Sequence, residues 1–255
     1  LYRRNATAWR GQLEKAALRL AGACTERGVF EQGNVVSAEL YKQALHVLDT
    51  FGVFKSEEPL RKKALIGNYL KLGEIYYSTD RFAEAQKQFE AGIAVANQLL
   101  QTASADSLPA YRNDQLAPLY TELGMVQLLE GKTDAARAAF RQAYDAYTYG
   151  LYPYFFGHVA LMENNEEEAM KQYREVYSAD QLGDVLSVIS RLAGRFPEHR
   201  ARLEAFMPRV RETILQLHPE ISPDDVDYRY ALQKSGYASL NEQWSDALAW
   251  NEKGL

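Results

Sequence analysis

Residues 69–89, "YLKLGEIYYSTDRFAEAQKQF", decide how this chain folds. Tyr69 is followed three residues on by Leu72-Gly73; Ala85 comes twelve residues after Gly73, and Phe89 one helical turn after that. Residues 120–140, "YTELGMVQLLEGKTDAARAAF", keep the frame in Gly124, Ala136 and Phe140. Residues 153–173, "PYFFGHVALMENNEEEAMKQY", keep it again in Gly157, Ala169 and Tyr173. A small residue on the contact face of each helix lets two antiparallel helices approach closely, and the aromatic fills the hollow beside them. Each copy therefore predicts a helix hairpin.

The breaks fall between the paired small residues. "STDR" (78–81), "EGKT" (130–133) and "ENN" (163–165) offer Ser, Thr, Asp or Asn as N-caps, and Glu166, Glu167 and Glu168 favour the positive end of the third hairpin's second helix. Outside the three copies the frame is fainter. Ser235 and Ala247 are again twelve apart, with Trp244 between them and Asn251 in place of the aromatic, while "SAELYKQAL" (37–45) reads as a second helix carrying Ser37, Tyr41 and Ala44, preceded by a helix over residues 8–27. Gly73 and Gly124 lie 51 residues apart, which predicts that "LLQTASADSLPAYRND" (99–114) is an inserted small-polar loop. Further helices are expected at about 180–195, 198–206 and 208–217, punctuated by Pro197, Pro208, Pro219 and Pro223. No stretch alternates with period two for long enough to predict a strand.

The frame resembles that of the tetratricopeptide repeat family, in which an aromatic, Leu-Gly, a second aromatic and then Ala-x3-Phe recur. Tyr69, Leu72, Gly73, Tyr76, Ala85 and Phe89 carry it in the first copy, and Tyr120, Leu123, Gly124, Ala136, Phe140 and Ala143 in the second, where Gln127 departs from it. The third keeps Phe156, Gly157, Ala169 and Tyr173 but departs at Pro153 and Ala160. The resemblance implies an all-α fold, a right-handed superhelical solenoid of antiparallel helix hairpins. It divides the chain into N-terminal helices with a degenerate repeat (1–65), three well-matched hairpins (66–177), irregular helices (178–226) and a degenerate C-terminal repeat (227–255). The start at Leu1 and the helix-like pattern running to Leu255 suggest a piece of a longer protein with flanking domains.

The family's first helices mainly line a concave inner surface, so the resemblance places Leu70, Glu74 and Tyr77 there, with Thr121, Met125 and Leu128 from the second copy and Tyr154, His158 and Leu161 from the third. Phe155 and Met162 lie beside the last set. Some members clamp a chaperone's C-terminal carboxylate with lysines and an asparagine. Here Leu70, Glu74, Thr121 and Tyr154 stand where such groups would be sought, so an apolar partner is expected instead, or the chain's own flanking helix. The aromatic run "YDAYTYGLYPYFFG" (144–157) then separates into parts. Tyr144 and Tyr147 end one helix, Gly150 turns, Pro153 opens the next helix, Phe156 and Gly157 pack inside the hairpin, and Tyr154 and Phe155 face the groove.

Chemistry leaves fewer traces. A net charge of -5 gives no general attraction to phosphate or anionic lipid, and the longest apolar run, residues 150–162, is too short for a bilayer, so neither direct nucleic-acid binding nor membrane insertion is expected. "GKT" at 131–133 lacks the upstream glycine of a phosphate loop, with Val126 at that position. His46, His158, His199 and His218 show no metal-ligand spacing, and no metal or cofactor is expected. Cys24 reads as a small buried hydrophobe, and an enzyme using Cys24 or His158 is the weakest reading. "RFPEHRARLEAFMPRVR" (195–211) suggests either the polar face of short helices or a patch for an acidic partner formed by Arg200, Arg202, Arg209 and Arg211. One cysteine fits a cytoplasmic setting, and an exported or periplasmic one equally. The leading expectation is a non-enzymatic scaffold binding another protein or a peptide. The alternative is a ligand- or peptide-sensing regulatory domain of a larger transcription or signalling protein.

Overall fold

The computed structural model describes residues 12, 16, 19–24, 34–50, 58–147 and 153–240. Beyond the helical residues 19–24, these form eleven α-helices in chain order: α1 (Asn34–Thr50), α2 (Glu58–Ser78), α3 (Phe82–Thr102), α4 (Leu108–Tyr111), α5 (Ala117–Leu129), α6 (Thr133–Ala146), α7 (Tyr154–Met162), α8 (Glu166–Tyr173), α9 (Ala179–Arg195), α10 (Arg200–Leu217) and α11 (Pro223–Leu240). A π-helical turn, Arg112–Leu116, links α4 to α5. No strand occurs among the described residues. The chain divides into two compact units, one of Leu1–Leu123 with Asp145–Tyr149, the other of Gly124–Tyr144 with Gly150–Leu255.

In the first unit α1 buries Ser37, Ala38, Tyr41, Ala44, Leu45 and Leu48, a stripe at helical spacing that packs on α2. Hairpin α2–α3 buries Leu65, Leu72 and Tyr76 against Phe82, Ala85, Phe89 and Ile93. The segment expected to loop at 99–114 is mostly helical. Helix α3 runs to Thr102, Ala103 leaves it in an extended conformation, and by Leu108 a new turn has started, with Pro109 in its first turn where a missing N–H costs nothing. Half-buried Leu108 and Tyr111 within it, and buried Leu116 just after it, give this segment an apolar edge that its small-polar composition concealed. Lys63 Nζ sits 4.5 Å from the Tyr111 ring centroid.

The second unit contains the hairpin α7–α8 and the helices α9, α10 and α11; α10 and α11 both pack on α9, and α9 and α10 also touch α7 and α8 respectively. The break expected at Pro208 is absent, and α10 continues through it. Its buried stripe Leu203, Phe206, Val210 and Ile214 lies on both sides of the proline. Fully burying such side chains is worth roughly 1.5–3 kcal/mol each, enough to hold the helix together against a proline penalty of about 3 kcal/mol.

The caps also differ from expectation. Before α3 the N-cap position is held by Arg81, with no side-chain cap, and Ser78 and Thr79 instead donate their hydroxyls to the Ile75 carbonyl at the end of α2, at 3.0 and 2.8 Å. The chain turns at Asp80 with φ 57, and at the matching site of the next two hairpins with Gly131 (φ 77) and Asn164 (φ 62), left-handed positions that suit Gly, Asn or Asp. Asn165 does cap α8 as expected, accepting from the Glu168 amide at 3.1 Å. The N-terminal helix over 8–27 lies largely outside the described residues, as do Gly150 and the Trp244, Ala247 and Asn251 half of the C-terminal repeat.

Candidate functional site

In each hairpin the aromatic of the second helix lies directly on the glycine of the first. A Cβ built on Gly124 would stand 2.5 Å from Phe140 Cε1, one on Gly157 would stand 2.6 Å from Tyr173 Cε1, and one on Gly73 would collide with Phe89 Cε1 as well. Real Cβ atoms do not come so close, so only glycine permits this approach. Ala85, Ala136 and Ala169 are all fully buried beside these contacts. Packing the glycine face inward fixes which residues of the first helices point elsewhere.

Those residues do not share one environment. Leu70 and Glu74 on α2 and Phe155 on α7 are half-buried and retain accessible surface. Glu74 is paired with Lys71 Nζ at 2.6 Å. Tyr77, Thr121, Met125, Leu128, Tyr154, His158, Leu161 and Met162 are buried. Tyr77 meets the Phe82 ring, and the Thr121 hydroxyl donates back to the Ala117 carbonyl at 3.0 Å. Phe155 lies 5.3 Å from Phe140 and 4.6 Å from Tyr154, centroid to centroid, one exposed edge of a ring cluster that continues inward.

His158 is the centre of that cluster. It is fully buried, and its Nδ1 lies 2.8 Å from the Tyr173 hydroxyl. Burial pushes its pKa down to about 3 and raises that of Tyr173 well above its ordinary value. This pair was not read from the sequence as a unit. Its signal is a tyrosine where the other two copies have Phe89 and Phe140, together with a histidine directly after the frame glycine.

The arginines of the expected acidic-partner patch are committed within their own unit. Arg200 Nε donates to the Ala193 carbonyl at 3.3 Å and Arg202 to that of Leu161 at 2.8 Å. Arg209 pairs with Glu166 at 2.7 Å, and Arg211 with Asp227 at 2.9 Å. Arg195 likewise donates to the Leu129 carbonyl. Arg195 and Arg202 thus tie down the C-terminal carbonyls of the first helices of two hairpins, groups that a helix leaves unsatisfied. Beside α8, Asn165, Glu166, Glu167, Glu168, Lys171, Arg174 and Arg209 border an open cleft in which three carboxylates face three cations, so it offers little net field. In the first unit Cys24, His46, Glu39, Lys42, Leu20 and Val47 border a smaller cleft of about 420 Å³. Among the described residues no group of three or more His, Cys, Asp or Glu is placed to hold a metal.

With the glycine contacts established, comparison with known families decides the repeat type. The profile described as tetratricopeptide repeat matches residues 66–98 and 117–147. These two segments are tetratricopeptide repeats. They coincide with the two copies in which Gly73 meets Phe89 and Gly124 meets Phe140. The third hairpin makes the same contact through Gly157 and Tyr173. Tetratricopeptide repeats are a non-catalytic scaffold that generally mediates protein–protein interaction. No curated protein sequence matches the chain. No helix among the described residues is long and apolar enough to cross a membrane.

Proposed function

We propose that the chain is a non-enzymatic scaffold whose tetratricopeptide hairpins bind a protein segment bearing apolar anchors, on the faces of their first helices. The observation that carries this reading is the repeated glycine-on-ring contact. It consumes one face of each first helix in the same way and leaves partly accessible apolar surface beside it, at Leu70 three residues before Gly73 in one unit and at Phe155 two residues before Gly157 in the other. An apolar anchor seated on a rigid helix face gains from area removed from water without any ordering of the receptor. Lysines and asparagines of a carboxylate clamp are missing from those positions, so the partner's anchors are side chains rather than a chain terminus.

Photo-crosslinking tests this. A photoreactive residue placed at Leu70 or Phe155 should label the same protein partner, while one at the exposed Glu90 on the second helix α3 should not. Leu70→Ala and Phe155→Ala should each weaken binding of that partner by about tenfold, the loss of roughly 1.4 kcal/mol of burial. Equal labelling from Glu90, or affinity unchanged in both variants, rules out the first-helix faces.

The alternative, a ligand- or peptide-sensing regulatory domain, draws support from the π-helical turn Arg112–Leu116 at the head of α5. Such turns are rare and occur frequently at functional sites.

A further inference from the structure

We propose that the third hairpin, residues 154–173, opens in mild acid, with the imidazole of His158 as its trigger. This rests on geometry alone and does not depend on what the first-helix faces bind. His158 is completely removed from solvent, its Nδ1 is held by the Tyr173 hydroxyl, and its Nε2 has no hydrogen-bond partner. A neutral ring tolerates this, because one nitrogen meets the hydroxyl and only one atom goes unmatched. A protonated ring carries N–H on both nitrogens, and the Nε2 proton then points at no acceptor while a full charge sits among rings.

Its neighbours offer no relief. Its own helix presents the Tyr154 and Phe155 rings at 6.0 and 6.4 Å, and α8 presents Tyr173 at 5.4 Å, backed by Phe206 of α10. Charged groups on the packed elements pair with one another or with backbone carbonyls, and Glu167 and Arg174 of the α8 region and Glu204 of α10 are exposed. On α8, Glu166 is held by Arg209 and Glu168 by Gln172 and Lys171. On α10, Arg202 is drawn to the Leu161 carbonyl and to Glu166. On α9, Asp180 pairs with Arg229, Asp184 with Gln233, and Arg195 with the Leu129 carbonyl. On α6, Arg137 pairs with Glu163. Burial holds the titration of the His158 ring far below its ordinary range.

The proton must therefore be accommodated by moving α7 off α8 until water reaches Nε2. The open state binds a proton that the closed state refuses, so acid favours opening. The other two hairpins have Phe89 and Phe140 where this one has Tyr173, and Glu74 and Met125 where it has His158. The response is confined to the third.

Hydrogen exchange on the full chain, corrected for the intrinsic pH dependence of amide exchange, reads the opening directly. Amides of residues 154–173 should lose about tenfold in protection between pH 7.5 and 5.5, which is one unit below the ordinary histidine pKa of about 6.5. Amides of residues 66–98 should not change. The pair His158→Phe/Tyr173→Phe, which gives the third hairpin the ring of the other two, should abolish the loss. Protection unchanged by pH in the wild type, or the same loss in the variant, overturns the proposal. The wild-type ring provides a second measurement that needs no variant. Its carbon-13 shift in the folded protein should stay that of a neutral imidazole down to pH 5, and a folded-state titration near pH 6.5 overturns the proposal as well.

Discussion

At the scale of single residues, glycine is the position that specifies a hairpin. Gly67 and Gly124 lie in the first helices of the two matched repeats, α2 and α5, yet an added methyl meets nothing within 4 Å at the first and the Phe140 ring at 2.5 Å at the second. Alanine is the better helix former by about 1 kcal/mol, so Gly67→Ala should stabilise the protein by roughly 0.5–1 kcal/mol. At Gly124 the same gain competes with overpacking, which costs roughly 1–3 kcal/mol where the neighbour cannot retreat. Phe140 cannot, being fully buried with Phe155 and Phe156 against it. Gly124→Ala should therefore lose up to roughly 2 kcal/mol net. Urea unfolding of the two variants reads the opposite signs, and equal effects would contradict the ring-on-glycine account. The residue scale is also where sequence reading was strongest. Gly73, Gly124 and Gly157 were each legible with their aromatic partners, because the contact joins residues sixteen apart within one hairpin.

Helices are decided by competition along their length, and there the sequence was less legible. Pro208 predicted a break, but a proline's local cost is read from one residue whereas the stripe Leu203, Phe206, Val210 and Ile214 that outweighs it depends on what α10 packs against. The same distinction explains the candidate faces. Leu70 and Phe155 keep accessible surface, while His158 and Leu161 do not, since α9 and α10, which follow the hairpin in the chain, close over α7 and α8. Nothing in residues 153–173 themselves announces that cover. Pro208 also supplies a direct test of the competition. It is exposed, so Pro208→Ala removes the ring's clash with the preceding turn and restores an amide donor without disturbing the buried stripe. Stability should rise by as much as about 3 kcal/mol, measured by thermal or urea unfolding. A loss of stability would mean that α10 requires the proline's distortion to seat Phe206 on Tyr173.

For the molecule as a whole, charge and the buried imidazole act in the same pH range. The chain carries a net charge of -5 at pH 7 and reaches zero near pH 5.5, where repulsion between copies no longer opposes association. The open form of the third hairpin, about tenfold more populated there than at pH 7.5, exposes Phe155, Tyr173 and Phe206 just as that repulsion vanishes. Charge neutrality alone would make self-association follow the isoelectric point whatever residue stands at 158. An opening hairpin adds a separate dependence on His158, because apolar surface rather than lack of charge then drives the contact. Light scattering between pH 7 and 5 separates the two. Wild-type scattering should rise steeply below about pH 6, one half-unit under the ordinary histidine pKa, and His158→Phe/Tyr173→Phe should delay and reduce the rise although its isoelectric point barely moves. Superimposable curves would assign acid self-association to net charge alone.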